Sequence, residues 1–404
     1  MTTHRETMLA VMRGKEVDVI PYAPRLDLWW LANKLNGTLP PRFADMKPDD
    51  IAKAEGWACY HIIPDFTNMM RSPADMLHRA IGLYNFKQSV YTVRFPADVK
   101  IEVESTDDGL QAINYHTPLG TARTLGGHTE QMKQQGASLG WTCEHAVKTP
   151  ADARVMGYIF ANLEVFQNYD GAREYENEIG DDGVVAAGGA SLAASPMHHI
   201  QKELIDPTEF FLWQMDEPNA LAELSESIGV YFERVLNVIA DSPAEVVLWG
   251  ANYDETLTYP PYFEREILPW LQKVAERLHT GEKIMVTHTD GENQGLMGLI
   301  ARCGADVAES ITPHPMTKVT VKEYYRNWSP HMTLMGLVPE CVTLANETSD
   351  TDFQAFMDEF FKSIAPGRRV IVGIADSTPP HASFERLQRI GERVAKEGRL
   401  PIAI

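Results

Sequence analysis

Six short apolar runs rich in β-branched residues recur through the second half of the chain. They are "GVVAAGGA" (183–190), "AEVVLWGAN" (244–252), "KIMVTH" (283–288), "ADVAES" (305–310), "HMTLMGLV" (331–338) and "RVIVGIA" (369–375). None alternates cleanly between apolar and polar positions, so each is predicted to be a strand covered on both faces. Between them lie longer segments with helical spacing, such as "PPYFEREILPWLQKVAERLHTG" and "DTDFQAFMDEFFKSIAPG". The first has proline near its start and glycine at its end, the asymmetry expected of a helix. Two runs near the start, "DVIPYAPRLD" (18–27) and "ACYHIIPDF" (58–66), bring the candidate strands to eight. Strands alternating with helices imply a parallel sheet, and eight of them favour an α/β fold of the (β/α)8 TIM-barrel type over an open doubly wound sheet. No glycine-rich phosphate fingerprint follows any strand, which weakens a dinucleotide-binding reading further.

Residues 85–145 break that rhythm. "QSVYTVRF", "VKIEVEST" and "LQAINYHTPLG" alternate apolar and polar positions between glycine and Asp-Asp punctuation, as antiparallel hairpins do. The expected organisation is a single barrel domain over 1–404 with an antiparallel β insertion at 85–145, serving as a lid or an interface element.

Charge narrows the partners. The chain holds 36 Lys and Arg against 56 Asp and Glu, a formal charge of −20. That argues against nucleic acid and anionic membrane surfaces as partners, since both need clustered cations. The start, "MTTHRETMLAVMRG", has neither a long apolar core nor a small-residue cleavage site, and no run approaches the roughly 20 apolar residues of a membrane span. The four cysteines, at 59, 143, 303 and 341, are widely spaced and are expected to be reduced thiols. The expected localisation is cytoplasmic.

In such barrels the active site lies at the carboxyl ends of the strands. The polar residues just past each run are Arg25 and Asp27, then Asp65, then Ser191 and Ser195, then Asn252, Tyr253, Asp254 and Glu255. The later runs give His288 and Asp290, Glu309, Cys341 and Asp376. His288 and Glu309 are predicted to end neighbouring strands roughly 4.8 Å apart, close enough to share a metal ion. With Asp290 and Cys341 they form a candidate donor set for zinc, which accepts imidazole, carboxylate and thiolate and keeps one position open in catalytic sites. The plainer readings are a histidine that only caps backbone and a cysteine that acts as a small buried hydrophobe. Asn252, Tyr253, Asp254 and Glu255 follow a buried strand directly and are expected to face a substrate, because unpaired buried polar groups cost about 1–3 kcal/mol each. Arg25 and Asp27 either grip substrate or pair with each other, and Trp29 is core or a wall for a flat ligand. Ser195 in "SPMHHI" is read as a helix cap.

These residues carry a family resemblance. "HRETMLAVMRGKEVDVIPYAPR" resembles the opening of the uroporphyrinogen decarboxylase superfamily, which includes cobalamin-dependent methyltransferase subunits. "HTDGENQGLMGLIARCGADVAES", "MGLVPECVTL" and "GRRVIVGIADSTPP" look like its later strand-end motifs, in the same order. The resemblance spans nearly the whole chain and implies a (β/α)8 barrel. True uroporphyrinogen decarboxylases carry two arginines four apart after the first strand; here Arg25 matches the first and Trp29 stands at the second. Their substrate-holding aspartate has its closest counterpart in Asp65, and their late His-Gly pair is Asp376-Ser377 here. The methyltransferase branch implies a His-x-Cys zinc site with a glutamate and a late cysteine. His288 and Glu309 keep their places, while Asp290 and Asp376 stand where the thiolates would be.

A site of imidazole and carboxylate, with Cys341 as the one soft donor, is a harder Lewis acid than a thiolate site. The resemblance and these departures together imply methyl transfer from a small methoxylated or methylated compound to a corrinoid protein, with Asp254 or Glu255 as general acid and zinc at the barrel mouth. Arg25, Asp27, Trp29, Asp65, Asn252, Tyr253 and Asp376 are the expected substrate contacts. The corrinoid would come with a partner protein, and a homodimer is left open. The alternatives are a metal-free lyase gripping a small carboxylate with Arg25, and a non-catalytic barrel that only binds.

Overall fold

The computed structural model describes residues 2–65, 67, 72, 74–84, 89–107 and 109–402. The last residue of the run 58–66, the first four of the segment 85–145 and Asp108 of its Asp-Asp pair lie outside the described residues. Two compact units divide the chain: Met1–Ile62, Glu174–Ala186 and Glu245–Ile404 form the first, Ile63–Arg173 and Ala187–Ala244 the second.

The first unit is organised by a seven-stranded sheet. Its order is Cys59–Ile63, Gly183–Gly188, Val246–Ala251, Ile284–His288, Val307–Ile311, Thr333–Val338 and Val370–Ile374. From Val246 onward each strand pairs in parallel with the next, and these five strands are buried along their whole length. The missing alternation in the sequence has this cause, since both faces are covered.

The run at 18–27 is not a regular strand, because Pro21 and Pro24 lack the N–H groups a ladder needs. It still fills the eighth position. Ala23 N donates to Val372 O at 2.8 Å and Val372 N to Pro21 O at 2.9 Å, while on the other side Ala58 N donates to Tyr22 O at 2.9 Å. Tyr22 forms a parallel bridge to Val372. The sheet therefore closes on itself through this segment, as a TIM-type barrel does.

The helices follow their predicted spans. Asp350–Ile364 begins at Ser349, whose hydroxyl accepts from Asp352 N. The segment 260–279 carries a π turn at Phe263–Ile267 before the regular helix Leu268–His279. Pro269 explains the irregularity, since its ring removes one i to i−4 donor and the local hydrogen-bond register widens.

The second unit contains the antiparallel elements. Lys100–Ser105, Gln111–Thr117, Gly120–Gly127 and Trp141–Glu144 form a four-stranded sheet in that order. Tyr91–Arg94 pairs instead with Glu164–Gln167, beyond the hairpins. Helix Pro150–Asn162 packs on the long helix Pro218–Ala240. Ser195 caps the short helix Pro196–His199, accepting from His198 N at 3.2 Å. Among the described residues no helix is long and apolar enough to cross a membrane. All four cysteines are free.

Candidate metal and proton-transfer site

The strand Ile284–His288 delivers an imidazole, and the strand Val307–Ile311 delivers a carboxylate beside it. His288 and Glu309 are direct partners in the parallel register. His288 Nδ1 lies 2.6 Å from Glu309 Oε2, with both side chains buried. The register slips between Val286 and His288 on one side and between Ala308 and Ile311 on the other. Such irregularities re-aim side chains at strand ends, and Ser310 accordingly holds a left-handed backbone at φ +60°.

The opposite ring nitrogen, Nε2, is 3.2 Å from Asp376 Oδ1. Ser310 Oγ donates to Glu309 Oε1 at 3.1 Å and lies within 3.4 Å of Asp376 Oδ1. Arg25 ties the acids together: Nη2 reaches Asp27 Oδ2 at 2.9 Å, and Nη1 reaches Glu309 Oε1 at 3.4 Å and the Asp376 carbonyl at 3.2 Å. Ser377 Oγ completes the set with a 3.0 Å bond to Asp27 Oδ1. Asp290 is oriented by Thr312 Oγ1 at 2.8 Å and Asn252 Nδ2 at 3.3 Å.

Donor atoms of His288, Asp290 and Asp376 all lie within 4.8 Å of one another. One imidazole and two carboxylates suit a divalent ion such as zinc, with room for a further ligand. The hydrogen bond from Nδ1 to Glu309 leaves Nε2 facing the acids, the tautomer that metal-binding histidines adopt when a carboxylate stands behind them. The residues present therefore fit a metal.

The titration of these groups follows from burial and charge. Burial alone would depress His288, but the Glu309 charge, a hydrogen bond to Asp376 and the bond to Glu309 lift it to about 10. Burial would raise Asp376, yet the hydrogen bond and charge of His288, with Arg25 and Ser310, hold it well below the usual carboxylate range. Burial also opposes the charge on Arg25, and Asp27, Glu309 and Asp376 overcome it, so its pKa is raised. Without a metal the resting form is thus an imidazolium beside an ionised Asp376.

Glu340 was not among the sequence candidates. It begins the short turn Glu340–Thr343 just after the strand Thr333–Val338. Burial first, then the charges of Asp376 and Asp290, push it up to about 7, against one backbone N–H from Ser377. Its signal was present in "GLVPEC": an acid directly after an apolar run, next to the cysteine that was singled out. Tyr60, on the strand Cys59–Ile63, is likewise new, with a buried hydroxyl that has no hydrogen-bond partner among the described residues and that feels the charges of Glu309 and Arg25.

The other predicted residues are spread differently. Cys341 lies outside the convergent trio; its carbonyl accepts from Thr348 Oγ1 at 2.7 Å, and burial pushes its thiol up. Asp254 Oδ1 accepts from Thr256 N at 2.8 Å and Leu257 N at 3.3 Å, closing its own loop. Glu255 is held by Lys318 Nζ at 2.5 Å and Gly295 N at 2.6 Å. Tyr253 is fully buried, bonded to Thr287 Oγ1 at 2.7 Å and packed edge-on against Phe263. Trp29 is buried against Phe384, its indole N–H bonded to the Ala382 carbonyl at 3.2 Å. Asp65 belongs to the second unit, where its Oδ1 accepts from Thr67 N at 2.8 Å.

Among solved structures, a methyltransferase from Methanosarcina mazei shares 13% identity and a TM-score of 0.52, covering 98% of this chain and 99% of that one. A GH5-4 broad specificity endoglucanase from an uncultured bacterium is more distant, at 8% identity and a TM-score of 0.31 over 62% of this chain and 85% of that one. No curated protein matches by sequence. Residues 187–396 match the family described as uroporphyrinogen decarboxylase (URO-D). That segment exceeds half of the 404 residues and bears His288, Asp290, Glu309, Glu340 and Asp376, and the chain belongs to the uroporphyrinogen decarboxylase (URO-D) family.

Proposed function

We propose that the chain is a methyltransferase that moves a methyl group from a small methoxylated or methylated compound to the cobalt of a corrinoid carried by a partner protein. The observation that carries this reading is the convergence of His288, Asp290 and Asp376 with Glu309 behind the imidazole. The methyltransferase fold of the Methanosarcina mazei neighbour agrees with it.

His288 Nε2 with one oxygen each of Asp290 and Asp376 would hold zinc. When bound, the ion supplies Lewis acidity to the oxygen or nitrogen that bears the methyl, withdrawing charge as that bond breaks. The remaining work falls to the chain itself. Glu309 holds the imidazole tautomer through Nδ1, Thr312 and Asn252 orient Asp290, and Ser310 with Arg25 steadies Asp376. The leaving oxygen or nitrogen needs a proton. Glu340 feels the charges of Asp376 and Asp290 and keeps its proton up to about pH 7. The carboxylates of Asp254 and Glu255 are occupied by loop amides and Lys318, so Glu340 is the donor this reading assigns.

A lyase that grips a substrate carboxylate with Arg25 is served less well, because that guanidinium is already shared among Asp27, Glu309 and the Asp376 carbonyl.

Elemental analysis of the purified chain, followed by spectrophotometric detection of methylated cobalamin with a panel of methoxylated donors and a corrinoid protein, tests the reading. One zinc per chain, lost in His288→Ala together with methyl transfer, is expected. Full activity in the chelator-treated protein would overturn it, and so would methyl transfer undiminished in His288→Ala.

A further inference from the structure

The same barrel has an opposite end. The strand Val370–Ile374 leads to Asp376, and its five residues separate that end from its start by roughly 17 Å. Around the start lies a pocket of about 550 Å³, walled by Val11, Val17, Tyr325, Pro330, Leu400 and Pro401. Small-ligand sites typically run from about 300 to 1,000 Å³.

Its charge departs from that of the chain. Against an overall −20, three cations (Lys15, Arg368 and Arg369) line the pocket with two acids (Glu16 and Asp18). Arg368 Nη2 pairs with Glu16 Oε1 at 2.9 Å. Among the described residues, neither the Lys15 ammonium nor the Arg369 guanidinium has an ion-pair or hydrogen-bond partner. With 20 more acids than bases in the chain, two neighbouring cations left without a carboxylate need a reason. Arg369 is also held in place. Its guanidinium lies against Gly14, where a Cβ would collide with it, and Gly14 itself sits at φ +66°. The Arg369 backbone adopts φ +57°, unusual for a residue with a side chain. It is fixed there by Leu334 N donating to its carbonyl at 2.9 Å.

We propose that this pocket binds a small organic anion, a carboxylate or phosphate monoester with an apolar body, through Arg369 and Lys15. The guanidinium offers a planar fork to two oxygens, the ammonium a mobile point charge, and the aliphatic and aromatic walls take the body. The pocket shares no residue with the His288 cluster and does not depend on the methyl-transfer reading.

Calorimetric titration of the full chain at low salt with phenyl phosphate, benzoate and inorganic phosphate tests this. Saturable one-site binding of phenyl phosphate or benzoate is expected, the preference between them identifying the head group. Binding should weaken about tenfold or more in Arg369→Gln and in Lys15→Gln, as the loss of one charged hydrogen bond implies. It should stay unchanged in Asp376→Asn. Lys15 is exposed, so Lys15→Gln keeps the test decisive if Arg369→Gln fails to fold. Three results would overturn the assignment: no saturable binding of either organic probe, affinity undiminished in Lys15→Gln, or inorganic phosphate binding as tightly as phenyl phosphate.

Discussion

Replacing Glu309 by glutamine tests the electrostatics at the centre of the site. The substitution keeps the side-chain shape and removes the charge 2.6 Å from His288 Nδ1. In the metal-free wild type, folding lifts the imidazole from 6.5 to about 10. A rise of that size stabilises the folded chain by up to about 5 kcal/mol while the imidazolium persists. Because the folded value is the higher one, this contribution is complete below pH 6.5. It declines as pH rises and is gone above about 10. The low pKa of Asp376 describes the same ion pair from its acidic side, so the two are not added. Glu309 heads the causes that lift His288, and Asp376 remains in the variant. The variant is therefore expected to be less stable by roughly 3 kcal/mol at pH 6, the cost of breaking one member of a buried charged pair. It should lose stability less steeply from pH 7 to 10, and the two proteins should converge near pH 10. Urea denaturation of chelator-treated protein, followed by tryptophan fluorescence at five pH values, measures this directly. Parallel stability profiles for wild type and variant across pH 7 to 10 would refute the reasoning.

The remaining predictions concern the same acids. Zinc must displace the His288 proton, so apparent zinc affinity should rise about tenfold per pH unit between pH 7 and 9; competition with a chromogenic chelator reads the slope, and a flat profile contradicts ligation through His288. Glu340 is pushed up to about 7, so its ionised form opposes folding, and stability falls as pH rises from 4.5 through 7. Glu340→Gln in metal-free protein should consequently be more stable than wild type at pH 8, by about 1–2 kcal/mol after allowance for its partial exposure, and indistinguishable at pH 4 by thermal denaturation. Gly291→Ala should lower both stability and zinc content. Gly291 sits at φ +122°, and a Cβ there would lie 2.5 Å from the Tyr253 carbonyl, displacing the loop that carries Asp290. The stability loss should be about 1–3 kcal/mol by chemical denaturation.

Much of the barrel was legible because burial on both faces writes itself as an unbroken apolar run, as in "KIMVTH" and "RVIVGIA". Adjacency of such runs then placed His288 beside Glu309, and the register pairs them directly. The first barrel position was harder, because Pro21 and Pro24 reduce it to isolated bridges while its sequence still reads as apolar. Glu164–Gln167 left no signal at all: four residues, three of them exposed, paired with Tyr91–Arg94 from far earlier in the chain. At the site, position along the chain located residues near strand ends but not the direction of their side chains. Asp254 and Glu255 come three and four residues after their strand, and Asp290 two after its own. Asp254 and Glu255 turn instead to amides of short loops, which would otherwise lack partners, and to Lys318. Tyr253 and Trp29 carry polar tips that read as functional, but each tip is satisfied inside the core.

Charge balance ties these observations together. Asp27, Glu309 and Asp376 share one permanent cation, Arg25, and Asp290 and Glu340 act on the same cluster through Asp376. With His288 protonated and Glu340 neutral, four negative charges face two positive ones. A divalent ion that replaces the His288 proton adds two charges and removes one, so it relieves the excess by a single unit. The gain is real but partial, and the proton competes for the same nitrogen with help from Glu309 and Asp376. Carboxylates in place of thiolates therefore make a site whose occupancy is set by pH as well as by metal concentration. A thiolate pair would also lose protons on binding metal, but from groups with an ordinary pKa near 8.5 rather than from an imidazolium stabilised to about 10. The slope of zinc affinity with pH is thus the quantity that separates this arrangement from a thiol-activating one.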